Sequence, residues 1–119
     1  MSKRDYRLFL EDIIEEIDRI NRFVKHVNSP EELEENDMVL YAILKSFENI
    51  GEAVKNLPSH IRENYPYQWK KIAGLRDIIS HEYWGIDTEI IFSIIETKLP
   101  ELKKVVSEIL EKEYKKWKW

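Results

Sequence analysis

Apolar residues recur every third or fourth position over most of this chain. Phe9, Ile13, Ile17, Ile20, Val24 and Val27 are spaced in this way, which predicts a long first helix. The stretch NSPEELEEND breaks the pattern. Ser29 there can cap, and Pro30 can take the first position of, a short acidic turn. The pattern resumes from about Asp37 to Leu57, with Leu40, Ile43, Leu44, Phe47, Ile50, Val54 and Leu57 as the buried stripe. Pro58-Ser59 restarts the chain, and SHIRENYP predicts one or two turns ending before Pro66. A third helix is expected from about Tyr67 to Trp84, ended by Gly85, with Asp87 or Thr88 capping the next. The last helical region, about Thr88 to Lys116, contains Pro100, which should kink or divide it after Leu99. No repeat, linker or strand-like alternation intervenes. The expectation is one all-α domain over residues 1–119, an up-down bundle of four to five helices with the last kinked near Pro100.

Composition narrows the class. The chain has 119 residues, 43% of them hydrophobic, enough for a proper core. Charged residues reach 35%, above the roughly 25% of an average soluble domain, a weak sign of heat adaptation. Cysteine is absent, which excludes a disulfide framework and thiol chemistry. No apolar run approaches the roughly 18 residues of a membrane span, and the start MSKRDYRLFLEDI lacks a signal-peptide core. A cytoplasmic protein without membrane attachment is therefore expected. The net charge of −4 carries no global signature of nucleic-acid binding, so any RNA contact must be local.

The segment GLRDIISHEY, residues 74–83, does not fit a plain bundle. On a wheel of about 100° per residue, Ile72, Leu75, Ile79 and Tyr83 cluster on the core side. Asp77 and His81 share a face roughly opposite, and Arg76 lies at the core's edge with Ser80 four residues on. Arg76 and His81 diverge by about 140° on an ideal helix. They converge on one ligand only near a helix end or where a second subunit completes the pocket. The chemistry available is specific. Histidine gives or takes a proton near neutral pH, and arginine makes paired hydrogen bonds to phosphate and stabilises charge developing on it. Arg76 and His81, with Asp77 to orient either, suffice to cleave RNA through its own 2′-hydroxyl. Spacing alone leaves a surface salt-bridge cluster as the commoner occurrence.

The string WKKIAGLRDIISHEYWGID resembles the signature of the HEPN superfamily and, within it, the HepT-like toxins. Their motif runs Arg, a polar residue, a short spacer and His, followed in the HepT branch by x-Tyr. Here these are Arg76, Asp77, Ile78-Ile79-Ser80, His81, Glu82 and Tyr83. FENIGEAVKNL, GID and KLPEL are also similar to this branch, so the resemblance runs from about residue 40 to 110. It implies an all-α homodimer with two motifs facing a shared cleft, acting as a metal-independent, cofactor-free endoribonuclease toxin. It further implies an MNT-type nucleotidyltransferase antitoxin that adds AMP to the motif tyrosine. Carried over, Arg76 would bind the scissile phosphate, His81 would be general acid or base, Asp77 would support both, and Tyr83 would be modified. Glu52 and Ser80 are candidates to flank the site. The rival expectation is a non-catalytic helical module that binds the nucleotidyltransferase or a nucleotide, and a third is a dimer merely bridged by Arg76, Asp77 and His81.

Other polar residues carry weaker signals. His26 and His60 have no partner at metal-ligand spacing and are expected at the surface. Glu48 and Glu52 lie four apart; either they flank the cleft and hold Arg76 or they face water, with water preferred for Glu48. The tail EKEYKKWKW alternates lysines with Tyr114, Trp117 and Trp119, a pattern suited to stacking on bases. A fraying amphipathic helix end has the same pattern and is the preferred reading. EELEEND is expected to be a solvated acidic turn.

Overall fold

Helix starts follow from capping side chains. Asp5 accepts from the Arg7 N–H at 3.0 Å and opens α1, Tyr6–Val24. Ser29 accepts from the Glu32 N–H at 3.1 Å and, with Pro30 in the first turn, opens α2, Pro30–Glu35. The Glu32 carboxylate reaches back to the Asn28 N–H at 2.6 Å, a variant of the capping box. Asn36 caps α3, Asp37–Lys55, through the Val39 N–H. The computed structural model describes residues 5–77 and 85–116. Two short helices follow α3, α4 over Ser59–Asn64 and α5 over Trp69–Ala73. Asp87 caps α6, Thr88–Ser93, through the Glu89 N–H.

α1 packs against both α3 and the last helix, α7, Leu99–Lys115. Leu10, Ile13, Ile17 and Ile20 join Ile43, Phe47, Ile50 and Val54 and then Leu99, Leu102, Val106 and Ile109 in one continuous core. α5 adds Trp69 and Ile72 against α3. The expected all-α bundle is the fold observed.

Three boundaries differ from expectation. α1 ends at Val24, where the His26 and Val27 N–H groups bond three residues back and tighten the last turn. Val27 stays buried although it lies outside the helix. The last helical region is divided before Leu99, not after it. Ile94–Lys98 form a π-helical turn in which the Leu99 N–H bonds to the Ile94 carbonyl, and Pro100 sits in the first turn of α7. A proline leaves the carbonyl four residues back, here Glu96, without its N–H partner and crowds it, so the preceding turn widens. The helix expected from Tyr67 begins at Trp69 and is interrupted at Gly74, with helical geometry resuming at residues 75–77.

That interruption rests on a backbone crossing. A Cβ added to Gly51 of α3 would lie 2.8 Å from the Arg76 amide nitrogen and 2.9 Å from the Ala73 carbonyl oxygen. The turn 73–76 is therefore seated directly on α3, at the one position of that helix where the side chain is missing. The Asp77 N–H bonds to the Gly74 carbonyl, three residues back, as the chain tightens over the crossing. Glycine inside a helix normally costs up to about 1 kcal/mol relative to alanine. Here the contacted atoms are backbone and have no rotamer to yield. Gly51→Ala is expected to destabilise by about 1–3 kcal/mol, reversing the sign that propensity dictates. Urea denaturation checks this, and a raised midpoint would contradict the close crossing.

Candidate active site

Arg76 and Asp77 follow this crossing and are both exposed, while Leu75 beside them is buried with 5% of its surface accessible. The seat on Gly51 places the next residue of α3, Glu52, against the Arg76 side chain. The Arg76 guanidinium donates through Nη1 to the Glu52 carboxylate at 2.8 Å. Of the two arrangements open to Glu52, the ion pair with Arg76 is the one found. Both side chains remain about half exposed, 44% for Arg76 and 51% for Glu52. Solvent, and any ligand, reaches the pair. Glu48 pairs instead with Lys45 at 3.5 Å along the same helix face. His81, Ser80 and Tyr83 lie outside the described residues.

On the other side of Glu52, α1 and α3 border an open cleft of about 370 Å³. Asp12, Glu15, Glu16 and Glu52 line it together with Arg19, which pairs with Glu15 and Glu16, so the lining is net negative. Glu16 is the buried member, and its carboxylate accepts from Arg19 at 2.9 Å and from the Asn49 amide at 3.0 Å. Arg76 thus stands at the edge of an acidic surface. A polyanion approaching Arg76 is repelled from the α1 side and is steered to approach from the side away from α1.

Among the described residues, no three His, Cys, Asp or Glu side chains converge as a metal ligand set would. His26 and His60 are exposed, and His60 packs edge-on against Tyr6 at 5.4 Å between ring centroids. No helix of the described residues is long and apolar enough to cross a membrane.

The α5 segment is tied down from its other end. Tyr65, just before it, donates to Glu113 of α7 at 2.5 Å, and Tyr6 of α1 donates to the same carboxylate at 2.6 Å. Lys116 completes the set at 2.9 Å, and only 2% of Glu113 is exposed. Burial alone would raise the Glu113 carboxyl, but the two hydroxyls and the ammonium outweigh it and hold it at about 2. The hydrogen bond to this carboxylate, with burial, pushes the Tyr65 hydroxyl up to about 12. Tyr67 donates to Glu101 at 3.0 Å, and the Trp69 indole N–H bonds to the Tyr65 carbonyl at 2.9 Å. None of these partners was legible in the sequence. Glu113, inside EKEYKK, looks like one more solvated charge.

The described part of the tail is not frayed. Tyr114 donates to Glu11 of α1 at 2.6 Å, with the Arg7 guanidinium 4.7 Å from its ring centroid. Lys112 lies over the Tyr65 ring at 5.9 Å. These groups are engaged within the bundle. Trp117, Lys118 and Trp119 fall outside the described residues.

The all-α bundle thus presents Arg76 on a turn seated on α3, paired with the Glu52 carboxylate. The comparison with known families is more specific. The model for "Ribonuclease HepT-like" matches residues 13–109, and the chain belongs to this HepT-like family. It is similar to "Putative RNase TTE0752" of Caldanaerobacter subterraneus subsp. tengcongensis, 44% identical over 90% of this chain and 96% of that protein. It is 40% identical to "Putative RNase MJ1216" of Methanocaldococcus jannaschii, over 93% of this chain and 92% of the relative. "Probable ribonuclease HepT" of Thermococcus cleftensis is 31% identical over 85% of this chain and 92% of its own length. No solved structure gives a significant match.

Proposed function

We propose that this chain is a metal-independent endoribonuclease, the toxin of a toxin–antitoxin pair, acting as a homodimer whose two motifs share a cleft. The observation that carries this reading is the HepT-like match over residues 13–109, which spans the whole string from Arg76 to Tyr83. The exposed Arg76 side chain, carried on the turn that crosses Gly51 closely, supports it.

In the reaction, the ribose 2′-oxygen attacks the adjacent phosphorus and loses its proton to a base. The bond from phosphorus to the 5′-oxygen breaks, and that oxygen takes up a proton. The products are a 2′,3′-cyclic phosphate and a 5′-hydroxyl. His81 moves protons at these oxygens, Arg76 stabilises the charge on the phosphorane, and Asp77 supports their orientation. The antitoxin is an MNT-type nucleotidyltransferase. The Tyr83 hydroxyl takes AMP from ATP with release of pyrophosphate, which adds a bulky anion to the motif and blocks RNA.

The direct test is cleavage of labelled RNA in EDTA by protein verified by intact mass to lack AMP, beside His81→Ala. Cyclic phosphate ends from the wild type, with a rate about 10²–10⁴-fold lower in the variant, are the expected result. Absence of cleavage by unmodified dimer on several RNAs would overturn it. So would equal cleavage by the variant.

A further inference from the structure

We infer that Glu52 is a positioning residue for the reaction: it holds the Arg76 guanidinium in the orientation that receives phosphate, while its charge lowers affinity for RNA. The inference rests on the phosphate-binding role proposed above for Arg76. Its own grounds are geometric. Glu52 follows Gly51, and Gly51 is where the α3 backbone meets the backbone of residues 73–76. The two consecutive residues therefore fix the turn and the side chain it carries. Gly51 sets where the Arg76 backbone stands, and Glu52 sets where its guanidinium points, through the 2.8 Å contact at Nη1.

A pair this exposed adds little to folding stability, so stability does not account for the geometry. Arginine's planar fork binds phosphate well only in a defined plane, and the contact to Glu52 favours one orientation of that plane. The restraint carries a charge of the wrong sign for RNA. Glu52 also borders the cleft lined by Asp12, Glu15 and Glu16, where Arg19 pairs with the last two but leaves the lining net negative, so a phosphate arriving at Arg76 meets a negative flank on that side. Positioning and repulsion come from different properties of one side chain, the accepting oxygen and the charge. They can be separated by substitution.

Glu52→Gln keeps an accepting oxygen at the same reach and removes the charge. Glu52→Ala removes both. With steady-state cleavage of a defined RNA, Glu52→Ala is expected to lose about tenfold in kcat, and Glu52→Gln to stay within about threefold of wild type. KM is expected to fall in both, by about threefold at low salt, with the difference vanishing at high salt. A loss of folded structure alone would not lower KM or let Gln rescue kcat. The Arg76 Nε–H resonance in a ¹H–¹⁵N spectrum gives an independent readout, sharp in the wild type and Gln variant and broadened in the Ala variant. Unchanged kcat with an unchanged resonance in Glu52→Ala would overturn the inference, as would equal loss of kcat in Gln and Ala. If the wild type cleaves no RNA, the proposed function fails and the resonance still decides whether Glu52 orients Arg76.

Discussion

Arg76→Ala is expected to lower single-turnover RNA cleavage by about 10³-fold while leaving the fold essentially as stable as wild type. The two halves of this expectation come from different facts. Arg76 is 44% exposed, and its pair with Glu52 lies in high dielectric, so that pair contributes at most about 1 kcal/mol of folding free energy. The same guanidinium facing a phosphorane is the principal positive charge in the proposed chemistry. Loss of such a group costs roughly 3–4 kcal/mol of transition-state stabilisation. Arg76→Lys keeps the charge but loses the paired hydrogen bonds, and an intermediate loss of about 10–100-fold is expected. Cleavage rates and thermal melts on the same samples check this. An alanine variant that cleaves within tenfold of wild type would remove Arg76 from the chemistry. One that melts far below wild type would make it a structural residue.

The second large effect falls on stability. Glu113→Ala is expected to destabilise the protein by about 3 kcal/mol, lowering Tm by roughly 10–15 °C. It removes the one carboxylate that receives Tyr6, Tyr65 and Lys116 at once. Two tyrosine hydroxyls in a partly buried site then lose their acceptor. Glu113 also gives stability a pH dependence of definite sign. Its folded-state pKa, about 2, lies below the ordinary 4.5, so its contribution is complete above about pH 4.5 and is lost as pH falls through about 2. The gap in unfolding free energy between wild type and Glu113→Gln should therefore narrow as pH falls from about 4.5 to about 2. A gap that stays constant over this range would mean that the carboxylate is not held ionised by its partners. Because Tyr65 and the Trp69–Tyr65 bond lead into α5, Glu113 variants are also expected to loosen the segment that carries Arg76.

Much of this fold is written locally. The stripes on α1 and α3, the Ser29–Pro30 start of α2, the Asp87 cap and the disturbance near Pro100 all depend on neighbours within one or two turns. Periodicity and capping report those neighbours directly. The location of the break near Pro100 was less legible. A proline acts on the carbonyl four residues earlier, and the widened turn falls upstream of the residue that causes it. An isolated glycine is tolerated in a helix, so Gly74 gives no local signal of a break, and the tightening is explained only by the crossing of Ala73 and Arg76 over Gly51.

The sequence by itself determined the helical class, most element boundaries and the string Arg76-Asp77-x-x-x-His81-x-Tyr83, which lies within the span matched by its family. Those are properties of residues close together along the chain. Only the tertiary structure decided that Glu52, 24 positions before Arg76, braces its guanidinium. It alone decided that Glu113 gathers Tyr6 and Tyr65 from 107 and 48 positions away. Contacts of that range depend on which helix faces meet and how closely. At Gly51 the deciding feature is a side chain that is absent, and a missing atom has no periodicity to read.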